Sequence, residues 1–333
     1  MRTEQIMKKI DLITGFLGSG KTTFISEYAD FLVRAGESVA IIVNDYGAIN
    51  VDRLLLEKTL GDKCHLEMVI GGDPDCTRRR LKTKLITMGL AGYTRVIVEP
   101  SGIFDADEFF DLIYEDPLER MFEPGNVITI VDACFINEQI SFEQSENKDT
   151  EIRYLLASQT AKAGTVVLSK MDKEMADKSD DSVNIIKNYV NNCLKEFKCA
   201  RQISDLYIWK TGAVTDQDFS KIFTSGYHSG EMIKLPVTDS NSFKSIFFFH
   251  VKTDVNKLED TIKRIFDDSK NGRLIRLKGF IQNTDGSWLE VNATSRMVNI
   301  SPITVGQELF ILIGENLNQE RIGGYWDEYR NTL

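Results

Sequence analysis

Two kinds of segment alternate over roughly the first 220 residues, short apolar runs and longer mixed stretches. Ile10–Thr14, Ser38–Val43, Leu66–Ile70, Arg95–Glu99, Asn126–Asp132 and Thr165–Ser169 are nearly unbroken runs rich in Ile and Val. Runs of that length without polar alternation mark strands buried on both faces of a parallel sheet. Leu206–Trp209 reads as one more. Between them, Lys21 to about Ala35, a basic segment from near Cys76, Ala106–Tyr114, Glu151–Ala161 and Asp181–Phe197 read as helices. Gly36 suits the turn that ends the first of these. Strands alternating with helices predict an α/β fold, a parallel sheet covered by helices on both faces.

The pattern changes beyond a stretch rich in Ser, Gly, Thr and Asn that runs from about Thr224 to Ser242. Ser245–Val251, Arg273–Ile281, Trp288–Val291, Arg296–Ile300 and Leu309–Gly314 read as strands, with Val255–Phe266 as a helix. These predict a smaller α+β domain whose sheet is mostly antiparallel. The expected division is residues 1–225, a linker over 226–242 and a second domain over 243–333.

The punctuation between the first run and the first helix carries the chemistry. Gly15-Phe16-Leu17-Gly18-Ser19-Gly20-Lys21-Thr22-Thr23 is a complete G-x-x-x-x-G-K-[ST] pattern, set between a strand and a helix as a phosphate-binding loop requires. Gly15, Gly18 and Gly20 let backbone N–H groups turn inward around a polyphosphate, beside the positive end of the helix dipole. Lys21 reaches β- and γ-phosphates, and the Thr22 hydroxyl is a ligand for Mg²⁺. Ser19 and Thr23 complete the nucleotide-binding set. The chain is expected to bind a nucleoside triphosphate.

Three further strand ends extend that site. Glu99, followed by Ser101 and Gly102, stands where a Walker B acid stands, able to hold Mg²⁺ or orient water, with the Gly102 N–H available to a γ-phosphate. Asp45 ends the neighbouring run, in the polar loop Asn44–Asp52, and joins the expected Mg²⁺ shell. Ser169-Lys170-Met171-Asp172 is similar to the N-K-x-D signature of guanine recognition. The Asp172 carboxylate can accept from guanine N1 and N2, and the stem of Lys170 can cover the ring. Ser169 replaces the usual Asn, which removes one amide contact. Phosphate loops also serve small-molecule kinases, and Asp172 argues against that use.

Composition narrows the partners. With 40 basic and 50 acidic residues the net charge is −10, which disfavours nucleic acid and anionic membrane as binding surfaces. The first apolar run is too short to span a bilayer and the N-terminus is polar, so a cytoplasmic protein is expected. Five cysteines, Cys64, Cys76, Cys134, Cys193 and Cys199, are an odd, irregularly spaced set that suits reduced thiols. Trp209, Trp288 and Trp326 read as core or interface residues.

In order and spacing, Gly15–Thr23, Asn44-Asp45-Tyr46-Gly47 with Asp52, Glu99-Pro100-Ser101-Gly102, Val131-Asp132-Ala133 and Ser169-Lys170-Met171-Asp172 resemble the motifs of the CobW family of P-loop GTPases. These are relatives of the urease- and hydrogenase-accessory GTPases that deliver metals. Gly272–Phe280 and Phe310–Gly314 look like the family's C-terminal domain, so the resemblance covers nearly the whole chain. It implies Mg²⁺-dependent GTP hydrolysis and a role as a metallochaperone or metallocofactor-insertion factor for a client protein. A nucleotide-dependent homodimer is an associated expectation.

One motif departs from the family. Its G-C-x-C-C metal motif aligns with Gly72-Asp73-Pro74-Asp75-Cys76, where two thiolates have become carboxylates. Carboxylates favour harder ions, so a three-thiolate site for Zn²⁺, Co²⁺ or Cu(I) is lost. Asp73, Asp75 and Cys76, with Cys64, His65 and Glu67 near in sequence, form a retuned site for Zn²⁺ or another divalent transition metal, or else Asp73-Pro74-Asp75 is only a turn capping the next helix. Two functions therefore stay open: a GTPase handling metal for a client enzyme, and a nucleotide-switched assembly or regulatory factor that binds no transition metal. The basic run Thr77–Lys84 reads as a solvated helix face or a surface for an acidic client.

Overall fold

The apolar runs become strands of one sheet, with Leu66–Ile70 at its edge and Leu66 and Met68 there only partly buried. The computed structural model describes residues 7–45, 51–70, 74–100, 106–145, 149–171, 175, 179–234, 243–295, 297–304 and 306–331. Two compact units divide the chain, residues 1–46 with 55–235 and residues 236–333 with 47–54.

In the first unit β1 (Lys8–Thr14), β2 (Val39–Asp45), β3 (His65–Ile70), β4 (Arg95–Glu99), β5 (Phe122–Asp132), β6 (Thr165–Ser169) and β7 (Tyr207–Ile208) form a seven-stranded sheet in the order β3-β2-β4-β1-β5-β6-β7. Every pairing in it is parallel. From β1 the chain runs out to β2 and β3, returns to place β4 beside β1, and then crosses to β5 on the other side. That reversal leaves a crevice at the carboxyl end of β1, the place where open α/β sheets meet ligands. The helices are α1 (Lys21–Arg34), residues 55–60 of α2 (Val51–Leu60), α3 (Pro74–Ala91), α4 (Ala106–Ile113), α5 (Ala133–Ser145), α6 (Thr150–Ala161), α7 (Ser179–Glu196) and α8 (Asp216–Phe223). From α1 and α8, Phe24, Tyr28, Phe31 and Phe219 pack on Ile41, Ile97, Ile128 and Ile130 of the sheet.

β5 begins at Phe122 rather than at Asn126 because Pro124-Gly125 forms a bulge instead of a break. Ile10 pairs with Pro124 and Leu12 with Val127, so Gly125 and Asn126 together face Asp11. A Cβ on Gly125 would lie 2.2 Å from Asp11 Oδ1. The bulge aims the Asn126 N–H at that oxygen, 2.7 Å away.

Four helices lie outside the sequence expectation, α2, α5 and α8 here and one at Gln319–Gly323 in the second unit. The loop predicted to run through Asp52 is helical from Val51. α5 starts without an intervening turn, since Asp132, the last residue of β5, itself accepts from the Phe135 N–H at 3.1 Å. α8 opens with a capping box between Thr215 and Asp218. Residues 226–234, read as linker, hydrogen-bond along this unit through Gly226 O with Val127 N, His228 N with Lys162 O, and Ile233 N with Phe197 O.

The second unit is a six-stranded sheet of β8 (Phe243–Lys252), β9 (Arg273–Gln282), β10 (Trp288–Ala293), β11 (Val298–Ile303), β12 (Leu309–Glu315) and β13 (Glu328–Arg330), in the order β11-β10-β9-β12-β8-β13. All its pairings are antiparallel. α9 (Leu258–Asp267) and α10 (Gln319–Gly323) complete it. Leu258, Ile262 and Ile265 of α9 enter a core with Phe248, Leu277, Phe310 and Trp326. Gly279 makes room for the Phe310 ring, which a Cβ there would approach to 2.2 Å. Among the described residues no helix is long and apolar enough to cross a membrane.

Candidate nucleotide site

Between β1 and α1 the chain turns back through Gly15–Gly20. Gly15, Gly18 and Gly20 have φ of +142°, +70° and +98°, in a region that side chains disfavour. Space excludes a side chain as well, since a Cβ on Gly15 would sit 2.2 Å from the Ile130 carbonyl oxygen. Lys21, the first residue of α1, is only 7% exposed and its ammonium donates to the carbonyls of Gly15 at 3.0 Å and Phe16 at 3.2 Å. The cation is thus folded over the loop, at the end of a helix that favours negative charge. Thr23, one residue beyond Thr22, is exposed.

β4 lies beside β1, and its terminal Glu99 is 5% exposed. The Thr22 hydroxyl donates to Glu99 Oε1 at 3.2 Å. Residues 77 positions apart in sequence thereby place two oxygen donors together at the start of α1; the donor set is hard and suits Mg²⁺. Asp45 ends β2, the strand on the far side of β4, with Val43 in register with Glu99. Its side chain lies outside the described residues, as do Gly102, Asp172 and Asp73.

On the other flank the Ser169 hydroxyl, buried at the end of β6, donates to Ser19 O at 2.6 Å. The substitution for Asn therefore ties the strand end to the phosphate loop. Lys170 adopts φ of +54° and sends its ammonium to the Gly18 carbonyl and to Asp132, 3.3 Å away. The motif Val131-Asp132-Ala133 assigns Asp132 no role of its own. Asp132 caps α5 and holds Lys170, and its place at a strand end was the available signal. Trp209, read only as core or interface, lies with its ring 3.1 Å from where a Cβ on Gly20 would stand.

The residues considered for a transition metal are less gathered. Glu67 accepts from His65 at 3.1 Å and from Lys84 at 2.7 Å. Burial opposes its charge, yet those two partners leave the carboxyl below its ordinary value. Cys64 is buried, and burial pushes its thiol up to about 11, away from the thiolate a metal needs. Among the described residues no group of three or more His, Cys, Asp or Glu is arranged to hold a metal. Cys76 is exposed near the start of α3. The side chain of Asp75 is outside the described residues. Three cations of the basic run of α3 are paired within the chain: Arg78 and Lys82 bind Glu115, and Lys84 binds Glu67.

Loop, lysine and neighbouring carboxylate share a fit to a polyphosphate at a sheet's switch point, and this makes the chain a P-loop nucleotide-binding protein. Residues 9–197 match the family described as CobW/HypB/UreG, nucleotide-binding domain, and the chain belongs to that family. It is 26% identical over 172 residues to the zinc chaperone YjiA of Escherichia coli, with 49% of each chain covered. It is 23% identical to zinc-regulated GTPase metalloprotein activator 1 of Schizosaccharomyces pombe, with 93% of this chain and 83% of that one covered. Among solved structures, Zn(II)-bound YjiA GTPase from E. coli aligns with a TM-score of 0.38 at 17% identity, covering 96% of this chain and 98% of that one. The chain spans about half the length of the two E. coli zinc chaperones it matches.

Proposed function

We propose that this chain binds GTP at Gly15–Thr23 and hydrolyses it with Mg²⁺. The observation that carries the reading is the Thr22–Glu99 hydrogen bond of 3.2 Å, which joins the loop hydroxyl to the acid of the adjacent strand. Thr22 and Glu99, with Asp45, would hold Mg²⁺, which when bound neutralises charge developing on the transferred phosphate. Lys21 and the glycine-loop N–H groups bind the β- and γ-phosphates, while Glu99 orients the attacking water and the Gly102 N–H meets the γ-phosphate. Ser169 and Lys170 set the base side, and Asp172 selects guanine. Glu99→Gln is expected to lower kcat for GTP hydrolysis by about 10²-fold or more with GTP affinity changed little. Phosphate release under saturating GTP checks it, and a kcat within threefold of wild type would count against Glu99.

The nucleotide state, on this reading, governs handling of a divalent transition metal for a client protein, as the names of the zinc-chaperone relatives suggest. Asp73, Asp75 and Cys76 are the cargo ligands proposed. A second reading keeps the switch without a transition metal, and the engagement of Glu67 and burial of Cys64 favour it. Zn²⁺ titration in the presence of Mg²⁺ and a GTP analogue separates them. A stoichiometric additional site weakened by Cys76→Ser supports metal handling, and its absence supports the metal-free assembly factor.

A further inference from the structure

Glu27 takes no part in that reading, yet it joins the two ends of the site. It lies on α1, downstream of Lys21, and each of its carboxylate oxygens is used: Oε2 accepts from Trp209 Nε1 at 3.1 Å and Oε1 from the Gly212 N–H at 2.7 Å. Trp209 follows β7, and its own N–H donates to Leu168 O of β6 at 2.8 Å. Its ring is 5% exposed, edge-on to Phe24 with centroids 5.5 Å apart. A Cβ built on Gly20 would lie 3.1 Å from this ring and 4.0 Å from Ser169 Cβ, so the indole fills the space between the last glycine of the loop and the strand end that carries Lys170. Beyond it, Lys210–Ala213 makes a turn closed by Ala213 N to Lys210 O at 3.0 Å, with Gly212 at φ +70°. Lys210, Thr211 and Gly212 are exposed, so apolar burial does little to hold the turn. The carboxylate of Glu27 supplies two charge-assisted hydrogen bonds in its place.

We propose that Glu27 is a positioning residue for the nucleotide base: by clamping Trp209 and the Lys210–Ala213 turn to α1, it fixes the base side of the site relative to the phosphate loop. This inference rests on the reading of Gly15–Thr23 and Ser169–Asp172 as a guanine-nucleotide site. Glu27 touches no reacting atom in it. It acts through Trp209 and the turn.

The test uses the full chain and calorimetric Kd values for GTP, GDP and ATP. Glu27→Ala is expected to weaken GTP and GDP about tenfold, and Glu27→Gln about threefold because its amide oxygen still accepts one of the two N–H groups. The preference for GTP over ATP should fall by a similar factor, which a merely structural role would not change. In a Trp288→Phe, Trp326→Phe background, GDP should alter the Trp209 emission of the parent and alter it less after Glu27→Gln. Unchanged GTP affinity and unchanged preference in Glu27→Gln and Glu27→Ala overturn the inference, and where Glu27→Ala does not fold, unchanged preference and unchanged emission response in Glu27→Gln overturn it alone. A wild-type chain that binds no guanine nucleotide defeats the underlying reading as well, an outcome distinct from normal binding that is indifferent to Glu27.

Discussion

Lys21→Ala is expected to weaken GTP binding by between about 30-fold and several thousand-fold, the equivalent of ~2–5 kcal/mol for removing one member of a desolvated charge pair. The side chain is 7% exposed and already folded over the loop, 3.0 Å from Gly15 O and 3.2 Å from Phe16 O. Little side-chain entropy then remains to be lost when phosphate arrives, so most of the Coulomb gain appears as affinity. What survives in the variant is the ring of loop N–H groups and the end of the α1 dipole. The dipole contributes only about 0.3–1 kcal/mol per charge at an exposed terminus, too little to replace the ammonium. Lys21→Arg should also fail to restore binding, because a planar fork cannot follow a point charge into the same turn. Calorimetry with a slowly hydrolysed GTP analogue and Mg²⁺ provides the measurement, alongside thermal unfolding to show that the fold persists. A dissociation constant within threefold of wild type would remove Lys21 from the site.

The phosphate loop was legible because its signal is local. Three glycines at fixed offsets, a lysine and a hydroxyl between a strand and a helix leave few other structures available, and Gly15, Gly18 and Gly20 all take the positive φ their type permits. The strand runs were legible for the same reason, since a sheet buried on both faces needs unbroken apolar segments. Contacts between distant segments were not. Nothing near Glu27 announces that its carboxylate meets Trp209 and Gly212, and nothing near Ser169 announces that its hydroxyl crosses to Ser19. α5 was missed because its cap is the last residue of the preceding strand, which hides the polar break that normally separates two elements. Pro124-Gly125 misled in the opposite sense. Proline and glycine usually end a strand, and here they make the bulge that lets β5 pass Asp11.

That bulge leads to the largest stability effect expected in the molecule. Asp11 in the middle of β1 is fully buried, and it accepts from Arg95 Nη1 at 2.7 Å, from the Asn126 N–H at 2.7 Å and from the Tyr28 hydroxyl at 3.0 Å. Asn126 in turn donates to Tyr28 at 3.0 Å and to the Phe223 carbonyl at 3.0 Å, while the Arg95 guanidinium lies 4.4 Å above the Phe223 ring. Strands β1, β4 and β5 are thus tied to α1 and to the end of α8. Asp11→Ala strands a guanidinium that is 4% exposed, with Glu37 at 3.8 Å as its remaining carboxylate. Breaking a buried pair in this way costs about 3–5 kcal/mol. For a unit of this size that lowers the melting temperature by about 6–20 °C, at roughly 2–4 °C per kcal/mol. Removing both charges should cost less than the two single losses together, because Asp11→Ala with Arg95→Met leaves no isolated buried ion, only the Asn126 N–H and the Tyr28 hydroxyl without their acceptor, at about 1–3 kcal/mol each. Calorimetric unfolding of the two single variants and the double variant makes the cycle. Additive losses would mean that Asp11 and Arg95 act independently, and a shift below about 2 °C for Asp11→Ala would mean that the pair contributes little. The same clamp holds both flanks of the phosphate loop, since β1 leads into Gly15 and α1 begins at Lys21. Loss of Asp11 should therefore lower the folded fraction at a given temperature and loosen both flanks of the loop in the molecules that remain folded.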